Sequence, residues 1–292
     1  MRAALLPERA AIRITGADAR HFLQGLVTTD VETLAAGAAR FAALLTPQGK
    51  ILFDFIAVAV AEDDGGGFVL DVPRALAEAL AERLGFYRLR AKVEIARRPD
   101  LAIAVVLDGA APEELGLVYR DPRHAGLGAR VVLPAEGAEA ALAAAGFALG
   151  TAAEWQQRRI AVGVPEGGQD FAYGDTFPHE ADMDQLGGVD FKKGCFIGQE
   201  VVSRMEHRGS ARTRIVPIAY ANASPLSGVE VKIGERAAGF LGSTANGRGL
   251  AKVRLDRVAE GLAAHETLSA GNVPITLVRP DWAKFPFPGE KL

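Results

Sequence analysis

Cysteine is nearly absent from this chain, and neither sign of charge dominates it. The 292 residues include one cysteine, Cys195, and 33 Lys and Arg against 36 Asp and Glu, a formal net charge of -3. A single cysteine excludes an internal disulfide, and it excludes a zinc or iron–sulfur site built from several thiolates of one chain. The nearly balanced charge gives no electrostatic reason to expect nonspecific binding to nucleic acid or to an anionic membrane.

Long apolar runs and targeting patterns are missing as well. No hydrophobic stretch approaches the roughly 20 residues that cross a bilayer, and the first residues lack the apolar core of a secretory signal. Together with the lone cysteine, which suits a reducing compartment, this predicts a cytoplasmic protein with no membrane or nucleic-acid partner. The five histidines show no ligand spacing, so we expect no stably bound metal, and neither a Walker-type phosphate loop nor a dinucleotide-binding glycine pattern occurs.

The cysteine lies in the most informative run of the sequence, Phe191-Lys192-Lys193-Gly194-Cys195-Phe196-Ile197-Gly198-Gln199-Glu200. Cationic neighbours and the N–H groups of a starting helix both stabilise a thiolate, which is the nucleophilic and metal-binding form of cysteine. Apolar residues at helical spacing predict a helix from Ile197 to about His207, so Cys195 is expected just before its positive end. The alternative is a buried, inert cysteine. The lysine and glycine neighbours favour the reactive one.

The order of the predicted elements indicates an α+β fold with a largely antiparallel sheet in its first part. A helix from Ala17 to about Leu26 follows a short strand. A second helix runs from Pro73 to Leu84 and is closed by Gly85, and a strand from Tyr87 to Ile95 comes next. Glu166 to Gln185 is a long polar segment with little periodicity, which is typical of a functional or disordered loop.

Beyond about Ala211 the sequence changes to short strands and turns, which predicts a small C-terminal β-barrel domain. Asn246-Gly247, between two apolar runs, is a strong hairpin pattern. We therefore predict one region over residues 1–210, with two interleaved α+β subdomains of which the second spans roughly 96–150. Residues 211–292 form the predicted barrel.

Asp54 interrupts an otherwise apolar strand from Ile51 to Val60. With the two-residue period of a strand, it shares a face with Leu52 and Ile56. A carboxylate on an apolar face is costly unless it is paired or meets a polar cavity. The sequence leaves both readings of Asp54 open.

Taken together, these segments resemble the YgfZ-type folate-binding proteins, which belong to the wider family of the glycine-cleavage T-protein, an aminomethyltransferase. The run around Cys195 is the specific part of the resemblance, and the other blocks are individually weak but occur in the family's order over most of the chain. Those blocks are Gly16-Ala17-Asp18, Phe22-Leu23-Gln24-Gly25, Thr28, Asp30-Val31, Pro47, Gly49-Lys50, Asp54, Leu89-Arg90-Ala91-Lys92-Val93, Arg159-Ile160, Gly163-Val164-Pro165, Phe177-Pro178, Glu180, Gly239, Gly242-Ser243 and Gly249-Leu250-Ala251.

The resemblance implies a T-protein-like arrangement of domains around a central cavity that binds tetrahydrofolate, and a role in assembly or repair of iron–sulfur clusters in other proteins. It implies Cys195 as the reactive thiolate and Lys193 as a cation acting on that thiol or on an anionic ligand. The residues it implies for folate binding are Asp54, Trp155, Glu180, Gly194, Gln199 and Glu200. The implied partners are folate and, transiently, iron–sulfur or cluster-assembly proteins.

This chain departs from the T-proteins at acidic positions. It has Phe53-Asp54 where they carry two adjacent acids and Ala161 where they carry another acid. General acid–base chemistry on an aminomethyl group needs a placed carboxylate, so these losses disfavour ordinary aminomethyl transfer. Arg9, which stands where some relatives place an aromatic residue against folate, is a separate departure that bears on folate binding. Two alternatives stay open: a folate-dependent aminomethyl or one-carbon transferase, and a folate-sensing scaffold in which Cys195 only packs. The sequence does not decide whether the protein is an enzyme.

Overall fold

The described chain divides into two units, each assembled from segments that are not contiguous in sequence. The structure, a computed structural model, describes residues 1–209, 211–221 and 223–289. Unit 1 comprises Met1–Pro47, Leu52–Trp155 and Gly187–Gln199, and unit 2 comprises Gln48–Ile51, Gln156–Leu186 and the described residues of Glu200–Leu292. The domain boundary after residue 210 stays a prediction, and Ser210 and residues 290–292 lie outside the described residues.

Short strands alternate with a few helices along the described chain. In chain order the strands are β1 (Arg2–Leu5), β2 (Arg9–Thr15), β3 (Ala39–Leu45), β4 (Ile51–Ala59), β5 (Phe68–Pro73), β6 (Glu94–Arg98), β7 (Leu101–Asp108), β8 (Leu117–Arg120), β9 (Ala129–Pro134), β10 (Ala148–Leu149), β11 (Thr213–Ala219), β12 (Glu230–Ile233), β13 (Arg236–Ala245), β14 (Arg248–Arg254), β15 (Leu268–Ala270), β16 (Val273–Pro274) and β17 (Thr276–Leu277). The α-helices are α1 (Ala19–Gln24), α2 (Ala77–Arg88), α3 (Ala138–Ala144), α4 (Ala152–Ala161), α5 (Gln199–Arg208) and α6 (Leu255–Ala263). Among the described residues, no helix combines the length and apolarity that crossing a bilayer requires.

Unit 1 contains two five-stranded sheets. The strand orders are β10-β1-β7-β9-β8 and β3-β4-β5-β2-β6, and most neighbouring strands are antiparallel. Almost every residue of β4 is buried, as expected for a strand covered on both faces. Helices α1 and α2 contribute Phe22, Leu23, Leu80 and Leu84 to the apolar core over the second sheet.

Helix α2 runs past its predicted end, so the prediction of a stop at Gly85 and a strand from Tyr87 is wrong. A Cβ added at Gly85 would meet no atom within 4 Å, so this glycine lies on the open side of the helix. Burial of Leu84 on the other side offsets the cost of a helical glycine, about 1 kcal/mol. The helix ends at Arg88, and the strand that follows, β6, starts only at Glu94.

A buried network of charges joins the two sheets of unit 1. Asp71 on β5 accepts hydrogen bonds from Arg9 Nε at 2.6 Å, Tyr119 Oη at 2.8 Å and Arg130 Nη1 at 2.5 Å. Arg130 Nε also donates to Asp121 at 3.0 Å, and Asp121 pairs with Arg123. Burial favours a raised pKa for Asp71, but the guanidinium groups of Arg9 and Arg130 outweigh it and the pKa is lowered. Ionised partners on both sheets therefore stabilise their packing within this unit.

Unit 2 is built on one seven-stranded sheet with the order β16-β15-β12-β13-β14-β11-β17. Its strands and α6 enclose an apolar core. The predicted hairpin at Asn246-Gly247 is confirmed: it connects β13 and β14, and both turn residues have positive φ, 49° and 75°. Positive φ at both positions is the geometry of a tight hairpin turn and explains the Asn-Gly pair.

Candidate functional site

The predicted reactive cysteine lies on the surface of unit 1. Cys195 is a free, exposed thiol in the loop between residue 187 and helix α5, four residues before the helix begins at Gln199. The helix therefore starts two residues later than predicted. Gly198, with φ of +80°, lies directly before it in a conformation that favours glycine. The sulfur is thus reachable by reagents and partners, while its ionisation stays a prediction.

Lys193 holds the cysteine loop to the rest of unit 1. Its side chain is only 9% exposed, and Nζ donates hydrogen bonds to the backbone oxygens of Gln24 at 2.7 Å, Val27 at 2.6 Å and Thr29 at 2.9 Å. An ammonium group has three protons, so the three carbonyls match it fully. Burial lowers the pKa of Lys193 to about 8, against the opposing effects of Asp30 and Asp190. The lysine is therefore still mostly protonated at neutral pH.

Further hydrogen bonds fix the start of the same loop. Thr28 Oγ1 donates to the backbone oxygen of Gly188 at 2.6 Å, and the backbone N–H of Asp190 donates to the backbone oxygen of Thr28 at 2.9 Å. The Asp190 carboxylate accepts the N–H groups of Lys192 at 2.8 Å and Lys193 at 3.2 Å. The loop leading to Cys195 is thus held by the side chain of Thr28, outside the loop, and by the side chain of Asp190, within it. Such support keeps an exposed thiol in one place without burying it.

Gly194, a predicted folate-binding residue, has no backbone or packing requirement for glycine. A Cβ at this position would meet no atom within 4 Å, and its φ is not positive. Of these two glycines, only Gly198 therefore has a backbone conformation that favours glycine. What glycine provides at position 194 is an uncovered backbone beside the thiol.

The other predicted folate-binding residues of unit 1 are Trp155, Asp54 and Gln199, and they differ in burial. Trp155 is 1% exposed, and the Arg130 guanidinium lies 5.0 Å from its ring centroid. In this arrangement the indole packs against the buried charge network and offers almost no surface to a ligand. Asp54 on β4 is buried and is not without an interaction partner. Gln199 is half-buried and its N–H donates to the Phe196 oxygen at 3.2 Å.

Two predicted folate residues, Glu180 and Glu200, belong to unit 2. Glu180 Oε2 accepts hydrogen bonds from the N–H of Phe177 at 3.0 Å and from Lys252 Nζ at 3.3 Å, and it lines a cavity of about 740 Å³ within this unit. Glu200 is exposed and pairs with Arg204 one helical turn away at 2.6 Å. Each carboxylate therefore already has a cationic partner. Their part in folate binding stays a prediction.

A histidine–carboxylate cluster in unit 2 escaped the sequence analysis. His179, Asp184 and Glu206 each bring one ligand atom within 4.8 Å of the others, and His179 Nε2 lies 3.1 Å from Glu206. Arg214, however, binds Asp184 through both terminal nitrogens, at 2.6 and 3.0 Å. A guanidinium in that position supplies the positive charge that a metal ion would bring, so the cluster is explained as an ion-pair network. No spacing pattern links residues 27 positions apart, such as His179 and Glu206, so no motif in the sequence indicates this cluster.

Two of the sequence blocks that resemble the family, Arg159-Ile160 and Gly242-Ser243, meet around another buried arginine of unit 2. Arg159 donates to Asp170 at 2.6 Å and to Ser243 Oγ at 2.8 Å, and Asp170 accepts the N–H of Ser243 at 2.8 Å. A Cβ at Gly242 would lie 2.4 Å from the Asp170 carboxylate. These positions are therefore explained by packing of the polar segment on the barrel. The segment predicted to be either disordered or functional is ordered.

Comparison with known proteins places the chain in a family. Residues 212–285 match the family model of the CAF17 C-terminal beta-barrel domain, in the region predicted as a barrel. The human mitochondrial iron–sulfur cluster assembly factor IBA57 is 34% identical, over 88% of this chain and 75% of its own length. This chain belongs to the IBA57 family. The mouse IBA57 protein is 32% identical over 95% of this chain and 84% of its own length, and the Mycosarcoma maydis homolog is 34% identical over 74% and 57%.

The fold of this IBA57-family chain is that of the T-proteins. The crystal structure of the glycine cleavage system aminomethyltransferase T from Bartonella henselae matches with a TM-score of 0.75, over 98% of this chain and 87% of that one, at 18% identity. The predicted α+β, T-protein-like fold with a C-terminal β-barrel is thereby confirmed. The resemblance to YgfZ-type proteins is correct at the level of related families. The specific YgfZ assignment goes beyond what these matches show.

The comparisons correct one prediction. A cytoplasmic location was expected from the lone cysteine and the missing targeting pattern, but the human, mouse and Mycosarcoma relatives are all named mitochondrial. The expectation is therefore contradicted. A single cysteine reports a reducing environment, and that property does not distinguish one reducing compartment from another.

Proposed function

We propose that this protein supports the assembly or repair of iron–sulfur clusters in other proteins, with Cys195 as the thiolate that binds the cluster during transfer. The observation that carries the proposal is the exposed sulfur of Cys195 on a loop fixed by Lys193. Membership of the IBA57 family supports it, because the human and mouse relatives are named iron–sulfur cluster assembly factors.

The chemistry of such a transfer is ligand exchange. Iron–sulfur clusters are held by several thiolates, and this chain has one cysteine. In the proposed step the Cys195 thiolate forms one iron–sulfur bond while a thiolate of the donor leaves, and the leaving thiolate takes up the proton that Cys195 released. No iron changes its oxidation state. The other ligands must come from a partner protein or a small thiol, so the cluster is cargo and the complex is transient.

The experiment is replacement of Cys195 in cells that depend on this gene. Cys195→Ser is expected to abolish the activity of oxygen-sensitive iron–sulfur enzymes under oxidative stress. Because the side chain is exposed, thermal unfolding of the purified variant is expected to match the wild type. Lys192→Arg serves as the control, since it changes an exposed side chain of the same loop and keeps the charge. Wild-type activity of the iron–sulfur enzymes in the Cys195→Ser strain under oxidative stress would refute the proposal.

Tetrahydrofolate binding is the second part of the proposal. A pterin ring presents N–H groups that a carboxylate accepts, and Asp54 in unit 1 supplies such a carboxylate. The fit within this unit is partial, because Arg130 covers the Trp155 ring. Titration of the purified protein with tetrahydrofolate tests the idea, and Asp54→Asn is expected to weaken binding at least about tenfold if the carboxylate accepts two charge-assisted hydrogen bonds. Equal affinity for the wild type and Asp54→Asn would remove Asp54 from the site.

A folate-dependent one-carbon transferase is the alternative, and the T-protein fold favours it. The acidic pair of the T-proteins is reduced to Asp54, since Phe53 occupies the other position and is buried. If this alternative holds, Asp54→Asn abolishes turnover of a one-carbon donor while Cys195→Ser leaves it intact. The opposite pattern supports the cluster-handling role.

A further inference from the structure

The end of helix α2 presents two large apolar side chains to solvent. Phe86 is 76% exposed and Leu89, three residues later, is 89% exposed. Leu89 also has a φ of +43°, which is unfavourable for a residue with a branched side chain. Strained backbone that holds a leucine in water is not explained by packing within unit 1. Such outliers point to a functional requirement.

Four cations lie within a few positions of these two side chains in the sequence. Arg83, Arg88, Arg90 and Lys92 are all exposed, and among the described residues none of the four side chains forms an ion pair or hydrogen bond. Residues 83–92 contain no acid, although the whole chain carries a net charge of -3. We call Phe86, Leu89 and these four cations the basic–apolar patch. Aromatic and arginine side chains together are typical of the centre of a protein interface.

The basic–apolar patch and the cysteine loop are attached to the two ends of the same short helix. At the start of α1, the Asp18 carboxylate accepts the N–H of Lys92 at 2.7 Å, and the Asp18 N–H donates to the Lys92 oxygen at 3.3 Å. At its end, the oxygen of Gln24 accepts the hydrogen bond from Lys193. A six-residue helix is only about 9 Å long. The two anchoring points therefore lie within the footprint of one protein interface.

We propose that the basic–apolar patch is the docking surface for an acidic face of the iron–sulfur protein that exchanges its cluster with Cys195. The proposal rests on the function proposed above and adds the surface and the charge of the partner. Four cations with no ion-pair partner among the described residues, next to an exposed aromatic and an exposed leucine in the sequence, are complementary to carboxylates beside an apolar depression.

Site-specific crosslinking in cells tests the surface directly. Phe86→p-benzoylphenylalanine is compared with Leu226→p-benzoylphenylalanine, a barrel position with the same 76% exposure. The expected result is a covalent adduct, found only with the probe at position 86, between this protein and an iron–sulfur protein, through an Asp- and Glu-rich segment of the latter. No adduct above the level at 226, an adduct with a protein that binds no cluster, or recovery of the protein with anionic phosphatidylglycerol vesicles through this patch would overturn the proposal.

Charge variants separate this inference from the proposed function. The double variant Arg88→Glu/Arg90→Glu is expected to lower the adduct yield and the activity of the dependent iron–sulfur enzymes about tenfold, and Arg88→Lys/Arg90→Lys is expected to retain both. Thermal unfolding of both variants should match the wild type because the side chains are exposed. If Cys195→Ser abolishes enzyme support while the Glu variant retains it, the docking surface is refuted and the function stands. If Cys195→Ser is harmless, the function fails, whatever the crosslink shows.

Discussion

Lys193 is the residue whose replacement tests the structure of the cysteine loop most directly. The variant Lys193→Met keeps the length of the side chain but removes the donor for three backbone oxygens, those of Gln24, Val27 and Thr29. A hydrogen bond from a charged group contributes about 1.5 kcal/mol or more. Three of them give about 4.5 kcal/mol, and entry of water to the vacated carbonyls lowers this to about 3–4 kcal/mol.

The assay is urea unfolding at pH 7, with Lys192→Met as the matched control. Lys192 is the adjacent lysine and is exposed, so its replacement is expected to change the free energy of unfolding by less than about 0.5 kcal/mol. A loss below about 1 kcal/mol for Lys193→Met, or equal losses for the two variants, would mean that the three carbonyl contacts do not stabilise the loop.

The stability difference between wild type and Lys193→Met is also expected to change with pH in a definite direction. Burial lowers the pKa of Lys193 to about 8, whereas in the unfolded chain it returns to an ordinary lysine value of about 10.4. Between these values the unfolded state binds more protons than the folded state, so the lysine's contribution to stability rises with pH. The gap between wild type and Lys193→Met is therefore expected to widen from pH 8 to pH 10. A stability difference that decreases over this pH range would show that the hydrogen bonds to the carbonyls raise the pKa of Lys193 more than burial lowers it.

Two other substitutions follow from the geometry. Gly198→Ala is expected to cost about 1–2 kcal/mol because its φ of +80° is unfavourable for an alanine, while Gly194→Ala is expected to be neutral; thermal denaturation compares them, and equal melting temperatures would contradict the assignment of the turn to Gly198. Asp71→Asn removes the buried carboxylate that pairs with both Arg9 and Arg130, and it is expected to cost about 3–5 kcal/mol at pH 7. Since the pKa of Asp71 is lowered on folding, its stabilisation is present above about pH 4 and is lost as the pH falls through the folded value. Urea unfolding from pH 7 to pH 3 measures this, and a pH-independent difference would refute it.

Local patterns in the sequence predicted the features that depend on neighbouring residues. The helix after Cys195 and the turn at Asn246-Gly247 are both determined within a few positions, and both are present. The barrel and the α+β class follow from strand lengths and turn spacing, which are also local. The end of α2 was missed because burial of Leu84 outweighed the helix-breaking tendency of Gly85.

Contacts between distant positions were beyond the sequence. Lys193 was predicted to act on the thiol or an anionic ligand, yet its ammonium group donates to backbone oxygens more than 160 positions earlier in the chain. No residue pattern encodes which carbonyls a lysine will meet, because every residue has one. In the same way, Trp155 was assigned to folate by resemblance, and only the structure places it against Arg130.

The charge network of unit 1 also limits how this protein can be taken apart. The sequence predicts residues 96–150 as a subdomain, and they contain four complete strands and α3. An excised piece with those limits would carry Arg130 and Tyr119 away from Asp71, which belongs to the other sheet. It would also lack β1, the strand that pairs with β7 and β10. Shortened versions of this chain should therefore retain both sheets of unit 1.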